Sequence, residues 1–139
     1  MMYVGGVHSA SAILKEQSKN ISSFEEKEKN LIKMCELTKK LKKELECNNV
    51  DALGEILHES WLLKKTLASG ISNPKIDEWY EIARANGAIG GKLLGAGGGG
   101  FLLFYVPKEK QKQVIESLSE LKELKFNFDH QGTIPVFVS

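Results

Sequence analysis

Apolar positions along this chain recur mostly at helical spacing. Leu31, Met34, Leu41 and Leu45 form one stripe, with Thr38 filling the remaining step, opposite a face rich in lysine and glutamate. Leu53, Ile56, Leu57, Ser60, Leu63 and Leu67 form a second stripe, in a helix expected to begin at Asn48 or Asn49 and to end at Gly70. Ile76, Trp79, Tyr80 and Ala83 form a third, closed by Gly87. Local signals sharpen these boundaries. Ser9 or Ser11 can cap a first helix running to about Asn20. Ser22 and Ser23 stand three residues before Glu25 and Glu26, the spacing of a capping box. Asn73-Pro74 sets a cap beside a first-turn proline, with Asp77 and Glu78 following where the helix dipole favours negative charge. Pro107 is expected to start a last helix through Val114, Leu118 and Leu121.

Strand-like runs are short. Met2 to Val4 enters a glycine turn, and apolar runs flank the glycine-rich stretch before Phe101 to Val106. Leu124 to Phe128 and Thr133 to Val138 read as strands around the turn Asp129-His-Gln-Gly132. The order is strand, helices, hairpin, helix, strands. Alternating parallel units are absent, so the expected fold is α+β, an antiparallel sheet with helices packed on one face.

The chemistry concentrates in the hairpin. Gly95-Ala96-Gly97-Gly98-Gly99-Gly100 lies between two apolar runs. Each glycine costs backbone entropy, so such a run implies positive φ angles or a very close approach by another group. A bare backbone offers N–H donors to an anion. Gly95-x-Gly97-x-x-Gly100 matches a dinucleotide fingerprint formally, but that motif must open a helix and a strand follows here. A nucleotide P-loop ends in Gly-Lys-Ser/Thr, whereas this one ends in Gly-Phe. A plain hairpin turn needs only one or two such residues. The run is therefore read as a loop set against phosphate or against a phosphate-binding partner loop.

Lys92-Leu-Leu-Gly-Ala-Gly-Gly-Gly-Gly-Phe-Leu-Leu-Phe-Tyr105 resembles the C-terminal glycine motif of the GHMP kinases, the galactokinase, homoserine kinase, mevalonate kinase and phosphomevalonate kinase superfamily. The likeness extends through Met2-Tyr-Val-Gly-Gly and Ser9-Ala-Ser-Ala-Ile-Leu-Lys-Glu-Gln17 to His58-Glu-Ser-Trp61-Leu-Leu-Lys64-Lys65, Ile71-Ser-Asn and Ile76-Asp77, which resemble the branch of D-glycero-D-manno-heptose 7-phosphate kinases. The resemblance implies a ferredoxin-like plait with additional helices over residues 1–139. It implies the C-terminal half of an ATP-dependent sugar kinase, acting on a sugar or sugar phosphate with ATP and Mg2+. The partner it implies is an N-terminal kinase domain carrying a Pro-x-x-x-Gly-Leu-Gly-Ser-Ser-Ala-type phosphate loop. No Gly-Ser-Ser stretch occurs here. The isolated chain is therefore expected to be inactive and to hold no cofactor tightly, whether it is a piece of a longer protein or a shortened gene product. Lys64, Lys65 and Lys92 are candidate substrate or phosphate contacts; no catalytic residue and no metal ligand is assigned. His8 is a further candidate, standing where the family pattern has arginine. A neutral imidazole is a poor substitute for a forked permanent cation, so its role as a phosphate contact is in doubt. Valine at Gly98 or Gly99 of the longer enzyme is expected to abolish turnover while leaving the fold largely intact.

Trp61 at helical spacing reads as core; the alternative places His58, Trp61 and Lys64 on the face towards the N-terminal half. The glycine loop and the face carrying Trp79 are further candidates for that side, and a bared face predicts weak self-association through apolar contacts. Other readings of the same residues are a stand-alone small-ligand-binding or regulatory module and a self-associating interaction domain.

Composition adds bounds. The 139 residues are 42% hydrophobic and 27% charged, enough for one soluble domain with a core. A net charge of +1 gives no argument for nucleic acid or a membrane surface. The apolar stretch Ala88 to Val106 is interrupted by Lys92 and glycines, so it does not read as a span. Cys35 and Cys47 lie three turns apart in one helix and cannot bridge within it; they read as reduced, Cys35 in the core, in a cytoplasmic protein.

Overall fold

The computed structural model describes residues 1–6 and 9–127. The elements run β1 (Met2–Gly5), α1 (Ala10–Ser23), α2 (Glu25–Glu46), α3 (Ala52–Lys65), a 3-10 turn (Ser69–Ile71), α4 (Pro74–Ala85), β2 (Gly90–Leu93), β3 (Gly100–Tyr105), a 3-10 turn (Lys108–Lys110), α5 (Gln111–Ser117) and β4 (Lys122–Glu123). The strands form one sheet in the order β2-β3-β1-β4, every neighbouring pair antiparallel. This is the expected ferredoxin-like α+β arrangement, with α1 to α4 between β1 and β2.

Register decides where the core lies. Met2 pairs with Leu102 and Leu102 with Leu93, so these side chains share one face of the sheet. Trp61 from α3 and Ile76 and Tyr80 from α4 pack there, all at most 2% exposed. Ala83, Val114 and Leu118 continue the core beneath Met2. On the opposite face Tyr3 and Phe101 pair in register with ring centroids 5.2 Å apart, and Tyr3 is 46% exposed. The helix core therefore lies on the first face, while on the second the start of α3 reaches Tyr105, whose hydroxyl donates to Asp51.

Several boundaries differ from the local signals. α1 continues through Ser23, so no capping box forms: the Ser22 hydroxyl donates back to the carbonyls of Ser18 and Lys19. Phe24, extended at φ −131°, separates α1 from α2. α2 begins without a side-chain cap, and Glu25, Glu26 and Glu28 favour its positive end instead. Its buried residue is Leu37, while Thr38 and Leu45 are exposed. Cys35 is exposed as well, not core, because α2 is an outer helix resting on α1 and α3 along a narrow stripe. α3 starts at Ala52, later than Asn48 or Asn49, and ends at Lys65, before Gly70. Asn48 is left-handed at φ +59° and Asn49 bonds the Glu44 carboxylate, so both finish the preceding turn. The segment after Pro107 is a 3-10 turn leading into a helix that stops at Ser117. β4 lies at Lys122–Glu123, ahead of the strand expected from Leu124. The run Thr133 to Val138, its preceding turn and His8 lie outside the described residues.

Other local readings hold. Ser9 caps α1 through the Ala12 N–H, and the Asn73 carboxamide accepts from the N–H groups of Lys75 and Ile76, with Pro74 in the first turn. Gly87 stops α4 at φ +112°. No helix among the described residues is long and apolar enough to cross a membrane.

Candidate functional site

The glycine loop closes the β2–β3 hairpin. Leu93 and Leu102, both fully buried, pair across its base, and the Leu94 N–H donates to the Phe101 carbonyl at 2.9 Å. Positive φ occurs at Gly95 (+76°), Gly97 (+122°), Gly98 (+78°) and Gly100 (+103°), so the run is needed for its conformation.

The loop is seated by distant parts of the chain. A Cβ on Gly97 would lie 2.6 Å from the Ile71 Cα, and the Gly98 N–H donates to the Ile71 carbonyl at 3.0 Å. A Cβ on Gly99 would lie 2.5 Å from the Gly5 carbonyl oxygen. Ile71 is itself fixed: it is fully buried, and α1 ties its turn down through Glu16, which accepts from the N–H and hydroxyl of Ser69. The glycine run implied a close approach by another group; at Gly97 and Gly99 that group is the chain's own backbone. Valine at Gly99 would damage the fold, contrary to the expectation that it would leave the fold intact. A Cβ on Gly95 meets nothing within 4 Å. The N–H groups of Gly95, Ala96 and Gly99 make no hydrogen bond within the chain among the described residues.

The candidate lysines separate. Lys64, in the last turn of α3, donates from Nζ to the Gly95 carbonyl at 2.5 Å. Burial, and after it the charge of Lys92, brings its pKa down to about 8. Lys92 lies on β2, half-buried, opposite Leu103. Lys65 is engaged elsewhere, 3.0 Å from the Asp77 carboxylate, which also accepts from the Ser72 hydroxyl.

Trp61 is fully buried, so it does not share an outward face with His58 and Lys64. His58 Nδ1 lies 2.9 Å from the Tyr80 hydroxyl, which is 3.2 Å from the Gly91 carbonyl. This chain of polar groups braces β2 behind the loop. Trp79 covers the other core cluster at its edge and donates to Glu120 at 2.5 Å. The Ile71 seat, the Gly5-Gly6 contact and the His58–Tyr80 brace escaped the sequence reading. Only the Gly5-Gly6 dipeptide gave a local hint of close backbone approach.

Burial, then the charge of Arg84, holds the His58 pKa below its ordinary 6.5. Below about pH 6.5 the unfolded chain therefore takes up the proton before the folded one does. Stability from this site is complete above that pH and falls as pH drops towards the folded pKa. Urea unfolding at about pH 7.5 and about pH 5.5 should show a larger loss for the native chain than for His58→Asn. Equal losses would place the titrating group elsewhere.

The arrangement can present backbone N–H groups and the Lys64 ammonium to phosphate oxygens. Among the described residues no three His, Cys, Asp or Glu side chains converge to hold a metal ion.

Residues 37–123 match the family described as GHMP kinases C terminal. Over 95 residues the chain is 35% identical to D-glycero-alpha-D-manno-heptose 7-phosphate kinase of Campylobacter jejuni, covering 67% of this chain and 28% of that protein. Over 92 residues it is 36% identical to the bifunctional fucokinase/GDP-fucose pyrophosphorylase of Arabidopsis thaliana, covering 66% of this chain and 9% of that protein. The crystal structure of Methanococcus jannaschii mevalonate kinase superposes with a TM-score of 0.68 at 26% identity, over 86% of this chain and 35% of that one. L. major mevalonate kinase in complex with R-mevalonate shares the fold, with a TM-score of 0.75 at 17% identity, over 86% of this chain and 36% of that one. The chain thus spans about a third or less of each of these proteins. With more than half of the chain matched and the glycine loop inside the matched region, the chain belongs to the GHMP kinase C-terminal family.

Proposed function

We infer that this chain forms the C-terminal half of an ATP-dependent sugar kinase whose acceptor is a heptose phosphate. The observation that carries the reading is the glycine loop. Its backbone takes positive φ at Gly95, Gly97, Gly98 and Gly100, Gly97 and Gly99 are seated against the chain's own backbone, and its Gly95 side stays open with unused N–H donors. Phosphoryl transfer relies on positioning and charge stabilisation more than on covalent chemistry by the protein. A rigid loop of bare N–H groups supplies both without a catalytic side chain. The heptose assignment is supported by the Campylobacter relative, the sugar kinase character by the fucokinase as well.

The rest of the machinery belongs to an N-terminal kinase domain carrying the nucleotide loop. ATP with Mg2+ would supply the transferred phosphoryl group there. Gly95 to Gly100 of this chain would close on that loop and shape the transfer site. The chain alone is then inactive.

The test uses the gene product that includes an N-terminal half, with heptose 7-phosphate, fucose and mevalonate as acceptors. ATP-dependent phosphorylation of the heptose phosphate ahead of the other two is the expected result. Preference for mevalonate would overturn the acceptor; no turnover of any would overturn the kinase reading. The isolated chain should bind Mg-ATP no more tightly than about 1 mM. A micromolar dissociation constant would place a complete nucleotide site within it.

A further inference from the structure

The long helix α2 carries two stripes, and only one is matched within the chain. Leu37 is buried where α2 rests on α1 and α3. A second stripe lies outside that contact. Steps of alternately four and three residues lead from Phe24, just ahead of the helix, through Glu28, Leu31 and Cys35, then through Thr38 and Lys42 to Leu45. This is the repeat of a coiled-coil seam, about 3.5 residues. Phe24 is 57% exposed and Leu45 43%. Glu28, Cys35, Thr38 and Lys42 are exposed as well, and Leu31 is half-buried. At the Leu45 end lies a groove of about 470 Å³ lined by Thr38, Leu41, Lys42, Leu45 and Glu46.

The seam mirrors itself about Cys35. Apolar Phe24 answers apolar Leu45, Glu28 answers Lys42, and Leu31 answers Thr38. An antiparallel second copy of the helix therefore meets it with a matching group at every level. A parallel copy in register would set Glu28 against Glu28 and Lys42 against Lys42, with Lys39, Lys40 and Lys43 stacked on themselves as well. Glu28 forms no ion pair among the described residues. Lys42 meets Glu46 at 3.7 Å, between side chains 77% and 63% exposed, a contact weak enough to be exchanged.

We propose that α2 is the contact of a two-fold dimer of this chain, with the two copies of the helix antiparallel. Phe24 of each copy enters the Thr38–Leu41–Leu45 groove of the other, Glu28 pairs with the partner's Lys42, and Cys35 lies beside the axis. The 22 residues of α2 make a helix about 33 Å long. A contact strip of that length and about 10 Å wide, counted on both copies, stays below the roughly 1,200 Å² of a standard stable interface. The association is therefore weak, with a dissociation constant between about 10 µM and about 1 mM. No residue of the glycine loop takes part, so the proposal stands apart from the kinase reading.

Sedimentation equilibrium of the chain, in reducing buffer and across that concentration range, is the test. A reversible monomer–dimer equilibrium is expected. Phe24→Ala should weaken it at least about tenfold. Glu28→Lys alone and Lys42→Glu alone should each do the same, and the two together should restore dimerisation to within about threefold of the native chain. Tyr3→Ser, on the open face of the sheet, should leave it unchanged. Helix axes about 8–10 Å apart bring facing Cα atoms within reach of a disulfide. Diamide should therefore link two copies of a Cys47→Ser chain through Cys35, and Lys42→Glu should suppress the link. A monomer throughout the range would overturn the proposal. So would a dimer that survives Phe24→Ala and Glu28→Lys in variants with the native far-UV circular dichroism. A dimer lost with Tyr3→Ser alone would move the interface to the sheet, and a charge swap that fails to restore association would sink the antiparallel pairing.

Discussion

Gly90→Ala is expected to destabilise the chain by about 3 kcal/mol or more, a large part of the roughly 5–15 kcal/mol that holds a domain folded. A Cβ on Gly90 would stand 1.9 Å from the Gly54 carbonyl oxygen and 2.9 Å from the His58 Cβ. The obstacle is helix backbone, which cannot rotate away as a side chain can. Relief requires α3 to move off β2, and the buried contacts of Trp61 and Tyr80 go with it. The reciprocal change, Gly54→Ala, directs its methyl group at the Ile89 side chain, 2.6 Å from Cγ2. Ile89 can yield in part, so a smaller loss of about 1–2 kcal/mol is expected. Urea unfolding of both variants gives the comparison. A Gly90→Ala chain within about 0.5 kcal/mol of the native one would mean that the helix–strand spacing is soft.

Within the loop, substitutions should split by which glycine is touched. Gly97→Ala combines strained backbone at φ +122° with a clash on the Ile71 backbone, for a loss of about 3–4 kcal/mol. Gly95→Ala carries only the left-handed strain of φ +76° in open space, for about 1–2 kcal/mol. In the longer enzyme the order of effects on turnover per unit of stability should reverse. A methyl at Gly95 faces outward, where an approaching phosphate loop would meet it. A Gly95→Ala enzyme that folds but loses turnover at least about tenfold, measured beside urea stability, is the expected result. Full turnover with Gly95→Ala would confine the loop's role to shaping the hairpin.

Short-range chemistry made much of this molecule legible from its sequence. The Ser9 and Asn73 caps, Pro74 in a first turn, the stop at Gly87 and the buried stripe of Ile76, Tyr80 and Ala83 depend on residues a few positions apart, and all are realised. The antiparallel α+β fold followed from element order, and the glycine run announced a special loop. Tertiary contacts decided the rest, because they join positions that local pattern cannot relate. Leu37, not Thr38, is buried on α2, and Cys35 is exposed, because α3 and α1 select which stripe of that helix they cover. Two neighbouring lysine candidates looked alike in sequence. Lys64 bonds a carbonyl 31 residues away and Lys65 a carboxylate 12 residues away, so the fold sends the two side chains to different partners. The glycines divide in the same way. Gly97 is fixed by Ile71 and Gly99 by Gly5, whereas Gly95 faces open space, since only the folded chain brings the turns before α4 and after β1 against the hairpin.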